Sequence, residues 1–495
     1  MKKSVTLSPL PRVEGDVQVH LDLEEGRVAE ARVSGILFRG FEKLMVGREP
    51  MDALVFAPRI CGICSIGQST AAANLLRRFY GVDMPPNAYW MRNVVLGAEM
   101  IMNHQTHFYL LFGVDLADPV YRDRPGYAEA VERFTPMQGS SYTDVLLARK
   151  KILEIMGLFA GKWPNSLALQ PGGVTRAISR SDLLRVRGVW KVVKQFVEDR
   201  VLNGSLERWL EVQSLKDLDA WLGEKGHEDG DLGLFFRIGR DFGLNELGKG
   251  PGRYLSCGSF EEPDGQMWMR AGYFNGQKVV SFSPDQITES VAYTWLTGDS
   301  RKGVPPLREE TKSDIDKKQA YSWARAPRYG GATAETGPIA RLVVDGDPLA
   351  KELNARWGST VFTRVFLRMH DLIRVMQQMG VWLDRIDPED PFYFQHHKKE
   401  EGEAMGSVEV SRGALTHWIR VSKGMIVNYQ VISPSTWNFS PRDEQSVPGA
   451  VEQALAGAPA GDPDKLMEVV HIIRSFDPCL FCTVHSAGIR GRIHV

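Results

Sequence analysis

The chain has 495 residues, a formal net charge of -1, 43% hydrophobic and 24% charged residues. That balance is typical of a globular protein with a large buried core, and it carries no basic footprint for nucleic acid. No apolar run approaches the ~20 residues of a membrane helix, and Pro9, Pro11 and Arg12 interrupt the N-terminus before an apolar signal segment can form.

The opening stretch, Ser8 to Asp16, is rich in turn formers and reads as irregular. Val17 to Leu23 alternates apolar and polar, Glu25-Gly26 offers a turn, and Val28 to Val33 returns, which predicts a β-hairpin. Phe38 to Glu42 closes this N-terminal β section, about residues 1–50. From Ala53 the pattern becomes helical. Helices are expected over Ser69 to Tyr80, Tyr89 to Phe112, Ser141 to Phe159, Ser181 to Trp221 with a break at Asn203-Gly204, and Ser359 to Met379, ended by Gly380.

Residues 223–346 are rich in Gly, Pro and charge, with strand-like pieces such as Gln277 to Phe282. They are too long for a bare loop and read as an α+β elaboration. Arg412 to Val431 alternates weakly as strands do, and Leu466 to Ser475 is a last helix. The expected fold class is α+β, mainly helical. A core of long helices, about residues 53–222 and 359–485, would carry peripheral β-hairpins and a tail over 486–495. The whole chain, 1–495, is expected to form a single intertwined domain.

Four of the 5 cysteines fall in two C-x-x-C pairs, Cys61 with Cys64 and Cys479 with Cys482, at opposite ends of the chain. Two thiols at this spacing can face one metal, and two pairs can make a four-thiolate cage. Spacing alone allows a structural zinc site. Against zinc stand the distance between the pairs and a chain length that needs no metal staple. The flanks, Arg59 before one pair and Asp477-Pro478 before the other, are also unusual for zinc. A redox pair lacks the surrounding βαβ pattern. Few cysteines at metal spacing suit a reducing compartment, so a cytoplasmic location is expected, with any membrane association made through a partner. Cys257 has no partner in either pair and reads as an idle buried thiol.

Arg59-x-Cys61-Gly62-x-Cys64 together with Asp477-Pro478-Cys479-x-x-Cys482-x-x-His485 resembles the large subunit of a nickel–iron hydrogenase, near the uptake and hydrogen-sensing subgroup. Pro11-Arg12-Val13-Glu14-Gly15, Arg39-Gly40-Phe41-Glu42, His104-x-x-His107-Phe108-Tyr109 with Asp115, Ser411-Arg412-Gly413, and Ile432 to Asn438 resemble further segments of that family. The resemblance implies cleavage or formation of dihydrogen at nickel bridged to an iron that carries carbon monoxide and cyanide. It makes Cys61 and Cys479 terminal nickel ligands, and Cys64 and Cys482 bridges to iron. Glu14 becomes a proton gate beside Cys479. Arg412 lies over the open site, Ser435 donates to a cyanide, and Asp115 and Asp477 anchor Arg412 or tune its field. Glu42 and His485 become ligands of a magnesium ion. His104 and His107 read as packing or outer groups rather than ligands.

Electrons must leave, and no ferredoxin-like cysteine run exists here, so an iron–sulfur small subunit is required. A heterodimer, or a higher oligomer of heterodimers, follows from that. Two positions depart from the family pattern. Gln68 stands where most relatives have a histidine, and a neutral amide cannot do an imidazole's work; slower turnover or a changed oxygen response is implied. Ser486 to Val495 remain beyond His485, where maturation often cuts.

Overall fold

The computed structural model describes residues 2–299, 301–308, 310–460 and 466–483, apart from the side chains of Cys482 and Thr483. His485 and the tail over 486–495 lie outside the described residues.

The N-terminal section is an antiparallel sheet of β1 (Lys2–Leu7), β2 (Val17–Glu24) and β3 (Arg27–Gly35), in that order. Val17, Val19, Leu21 and Leu23 are buried along β2, as the alternation demands. β1 carries no sequence expectation: it is a largely exposed edge strand, held by backbone pairing to β2 and by Val5 and Leu7 packed against the core. Phe41–Met45 is a short helix, where the sequence suggested the close of a β section.

The core is built from long helices. α1 is Ser65–Tyr80, α2 is Pro86–Gln105, α3 is Ser140–Ala160 and α4 is Arg180–Phe196. α2 continues as a π-helical segment, Thr106–Phe112. α1 begins four residues before the expected start. Its cap comes from another helix: the Glu99 carboxylate on α2 accepts the Ile66 and Gly67 N–H groups, each at 2.8 Å. A tertiary cap of this kind leaves no local sequence signal. The break at Asn203 is present, with that residue at φ 46°.

Residues 223–346 contain both helices and strands. They include α5 (Asp231–Asp241), a sheet of β4 (Tyr254–Glu261), β5 (Met267–Phe274) and β6 (Val279–Val280), and α6 (Pro338–Asp345). α7 (Val361–Arg385) runs straight through Gly380 instead of ending there. A Cβ at Gly380 would sit 2.7 Å from the Trp190 ring, so this glycine admits a ring from α4 and does not cap a helix.

The last sheet is an antiparallel meander of β7 (Gly402–Val410), β8 (Gly413–Ser422) and β9 (Met425–Ile432). Val410 pairs with Gly413, so Ser411 and Arg412 form the tight turn between β7 and β8. Two short helices close the chain around the same spot: α8 (Pro434–Asn438) and, after α9 (Met467–Ser475), Leu480–Thr483. One large hydrophobic cluster runs from Leu10 to Leu480 through the long helices, and a second holds Trp437 of α8 with Leu255, Ala414, Trp418 and Ile432.

Candidate metal centre

Three chain segments lock together at one point. The Glu14 N–H donates to the Pro478 carbonyl at 3.2 Å, and the Leu480 N–H donates back to the Glu14 carbonyl at 2.7 Å. Gly15 makes this contact possible: it has φ 79°, and a Cβ there would meet the Phe481 nitrogen at 2.8 Å. The Arg39 guanidinium donates to the carbonyls of both Ile60 and Phe481, tying the segment around Cys61 to the segment around Cys479. Ser433 caps α8 and Pro434 opens it, and Ser435 then accepts the Cys479 N–H at 3.0 Å.

These contacts bring the thiols together. The sulfurs of Cys61, Cys64 and Cys479 lie within 4.8 Å of one another, and those of Cys61 and Cys479 are 3.3 Å apart. All three are buried. The Cys482 backbone lies in the last helical turn beside them, and its side chain is outside the described set.

Arg412 reaches the cluster from the β7–β8 turn. Its Nη2 is 3.1 Å from Asp477 Oδ1, and its Nε donates to the Asp477 carbonyl at 3.2 Å. Nη1 is buried with no hydrogen-bond partner among the described residues. Burial works against the guanidinium charge, but Asp477 and the thiolates of Cys479, Cys64 and Cys61 outweigh it and raise its pKa well above the usual value. Asp477, at φ 55°, also binds Arg368 of α7 at 3.0 Å.

Asp115 is not an anchor of Arg412. Its carboxylate is taken by Arg12 and by Arg474, the latter at 2.5 Å. Asp115 thereby ties the strap before Glu14 to α9, and the Arg474 Nη2 completes this tie by donating to the Pro11 carbonyl at 2.7 Å. Among the described residues the carboxylate on Arg412 is that of Asp477 alone, and Arg368 braces that carboxylate at its other oxygen. Asn103 Nδ2 is 3.1 Å from the Ile63 carbonyl and 3.1 Å from Ser411 Oγ, so it joins the first thiol loop to the turn that carries Arg412.

Glu14 is half-buried, and its pKa is raised by burial first and by the Cys61 thiolate second, while Arg412 and Arg39 pull the other way. His104 is buried and neutral, its pKa lowered to about 4 by burial against the pull of Asp371. Its Nε2 is 2.8 Å from Asp371 and its Nδ1 3.1 Å from Arg368. His107, pushed down to about 3 by burial, donates to the Arg474 carbonyl at 2.7 Å. Both His104 nitrogens are spent on protein groups, whereas His107 Nδ1 has no hydrogen-bond partner among the described residues. Cys257 is buried against Glu409, away from the thiol cluster, and burial raises its pKa well above the usual value.

Glu42 is buried. Its Oε2 accepts Thr311 Oγ1 at 2.5 Å and its Oε1 accepts the Val431 N–H at 3.0 Å, with Arg325 3.9 Å away. Gln68 is fully buried on α1, its Oε1 2.9 Å from His417 Nε2.

Sequence reasoning missed Glu99, Asn103, Arg368 and His417. One signal for Arg368 was readable. Arg364, Arg368 and Asp371 recur at four and three residues along α7, which places three charges on the buried side of an otherwise apolar helix. The other three act through partners far away in sequence.

A buried set of three thiols beside an arginine forms a candidate metal site, since soft thiolates suit late transition metals and a guanidinium N–H suits an anionic group on them. Comparison with known proteins gives the class. The nickel-dependent hydrogenase family model matches residues 39–133 and 235–485, and the chain belongs to that family. It is 28% identical to the periplasmic [NiFeSe] hydrogenase large subunit of Desulfomicrobium baculatum, over 98% of this chain and 95% of that one. It is 26% identical to the hydrogenase-2 large chain of Escherichia coli K12, over 99% and 98%. The reduced Ni-Fe-Se hydrogenase of D. vulgaris Hildenborough superposes with a TM-score of 0.83 at 28% identity, covering 98% of this chain and all of that one. The chain is a hydrogenase large subunit, an oxidoreductase that splits dihydrogen at a nickel–iron centre. No described helix is long and apolar enough to cross a membrane.

Proposed function

We propose that Cys61, Cys64, Cys479 and Cys482 would hold the nickel–iron centre, with Cys61 and Cys479 serving nickel and Cys64 and Cys482 serving both metals. The observation that carries this reading is the meeting of three buried thiols from both ends of the chain within 4.8 Å. The group, when bound, supplies the Lewis-acidic site at which dihydrogen is polarised. The protein supplies the rest. Cys479 sulfur is the first proton acceptor. Glu14, hydrogen-bonded through its backbone on both sides of Cys479, takes the proton onward. Arg412 holds positive charge over the cluster, and its Nη1, without a hydrogen-bond partner among the described residues, supports a hydrogen bond to a cyanide on iron. Ser435 holds the Cys479 backbone, and its hydroxyl proton remains to be donated to a second cyanide. Asp477 fixes Arg412.

Metal analysis of the purified protein tests the centre: about one nickel and one iron per chain are expected, with infrared bands from carbon monoxide and cyanide. Zinc alone would defeat the reading. Arg412→Lys keeps the charge but loses the planar fork; turnover is expected to fall about 10–100-fold with nickel and iron retained. Unchanged turnover would remove Arg412 from the mechanism.

Glu42 is proposed as a magnesium ligand with His485. Among the described residues its neighbours are Thr311, a backbone N–H and a more distant arginine, which supports a carboxylate kept for a cation, and few protein ligands suit magnesium. An iron–sulfur small subunit takes the electrons. The naming of the relatives as large subunits supports this. A cytoplasmic location rests on the cysteine usage, and cell fractionation tests it. The single intertwined domain rests on the contact of both chain ends at the thiols. Gln68 supports a place near the uptake and sensing members.

A further inference from the structure

The centre contains an imidazole that the roles above leave unused. His417, on β8, is fully buried. Its Nε2 lies 2.9 Å from Gln68 Oε1, and its Nδ1 lies 2.7 Å from the hydroxyl of Tyr429 on β9. Burial lowers its pKa to about 3, so the ring is neutral, with one N–H and one lone pair.

Two arrangements satisfy these distances. Either Tyr429 donates to Nδ1 and Nε2–H donates to the Gln68 carbonyl, or Nδ1–H donates to Tyr429 and Gln68 is flipped to donate to Nε2. Tyr429 decides between them. It is fully buried, and among the described residues its hydroxyl has His417 as its hydrogen-bond neighbour. In the second arrangement its proton would be a buried donor without an acceptor, which proteins avoid. In the first, all three groups are matched.

The consequence falls on Gln68. It lies one turn beyond Cys64 on α1, on the same face. Helical side chains lean toward the N-terminus, here toward Cys64. With its carbonyl committed to His417, the amide has its N–H groups for the other side.

We infer that Tyr429 and His417 are positioning residues that lock the Gln68 amide in one of its two flips, presenting N–H donors toward the Cys64 side of the centre. The inference rests on the reading of Cys64 as a ligand of that centre. A donor beside a thiolate draws charge from the sulfur, and an amide does so without titrating. The imidazole that Gln68 lacks is thus present one group further out, where it sets orientation.

The test is nitrogen-15 histidine spectroscopy on the assembled protein, with infrared spectra of the iron ligands. His417 is expected as the Nε2–H tautomer. Tyr429→Phe, which deletes one oxygen, is expected to yield a mixture of tautomers, to shift or split the carbon monoxide band, and to lower kcat several-fold with KM for dihydrogen unchanged. An Nδ1–H tautomer in the unaltered protein, or a tautomer and band unmoved in Tyr429→Phe, would overturn the inference. Absence of nickel and iron would instead overturn the metal reading, and the tautomer result would stand apart from it.

Discussion

Replacing Glu14 with Gln is expected to lower dihydrogen turnover by about 10²–10⁴-fold, the range for losing a positioned proton carrier. Nickel and iron content should not change. The glutamine keeps the shape of the side chain and both backbone bonds to the Cys479 segment, so the cage closes as before. What is lost is a carboxylate whose proton affinity is tuned upward by burial and by the Cys61 thiolate. The pH dependence follows in sign. To accept a proton Glu14 must be ionised, so hydrogen uptake in the unaltered protein should fall as pH drops through a pKa above the ordinary carboxylate value. That acid limb should be missing from the residual activity of the variant. Turnover equal to that of the unaltered protein would show that the proton leaves by another group.

The largest stability effect is expected at Arg341, on α6. This residue is fully buried, with Nη2 at 2.6 Å and Nε at 3.1 Å from Asp371 Oδ2, and Nη1 3.2 Å from Glu409. Arg341→Met leaves two buried carboxylates without their cation and should cost about 3–5 kcal/mol in denaturant unfolding. Glu409 is already pushed up to about 7 by burial against the pull of Arg341, so it would be protonated first. Asp371, which Arg341 and His104 hold low, would carry most of the penalty. Adding Asp371→Asn should therefore recover part of the loss. A double variant as unstable as the sum of its parts would mean that packing, not unpaired charge, sets the cost.

Much of the scaffold was legible because its signals are local. The apolar face of α2 and the alternation of β2 can each be read within a dozen residues. Errors arose where a distant group made the local decision. α1 starts early because Glu99 caps it, and α7 passes through Gly380 because Trp190 packs there. Asp115 was assigned to Arg412 on motif order, and the structure gives it to Arg12 and Arg474.

The sequence by itself placed four thiols in two C-x-x-C pairs, a spacing that suits a shared metal, and thiol spacing is a property of neighbouring residues. Only the tertiary structure decided how that chemistry is held. Arg368 fixes Asp477, Asn103 links the Ile63 loop to the Arg412 turn, and Tyr429 with His417 orients Gln68. Each is a buried polar contact across a large sequence separation or between two sheet strands. Burial is what makes such contacts obligatory, because a polar group removed from water must find a partner within about 3 Å. Which partner it finds depends on how helices and strands pack, which no short stretch of residues encodes.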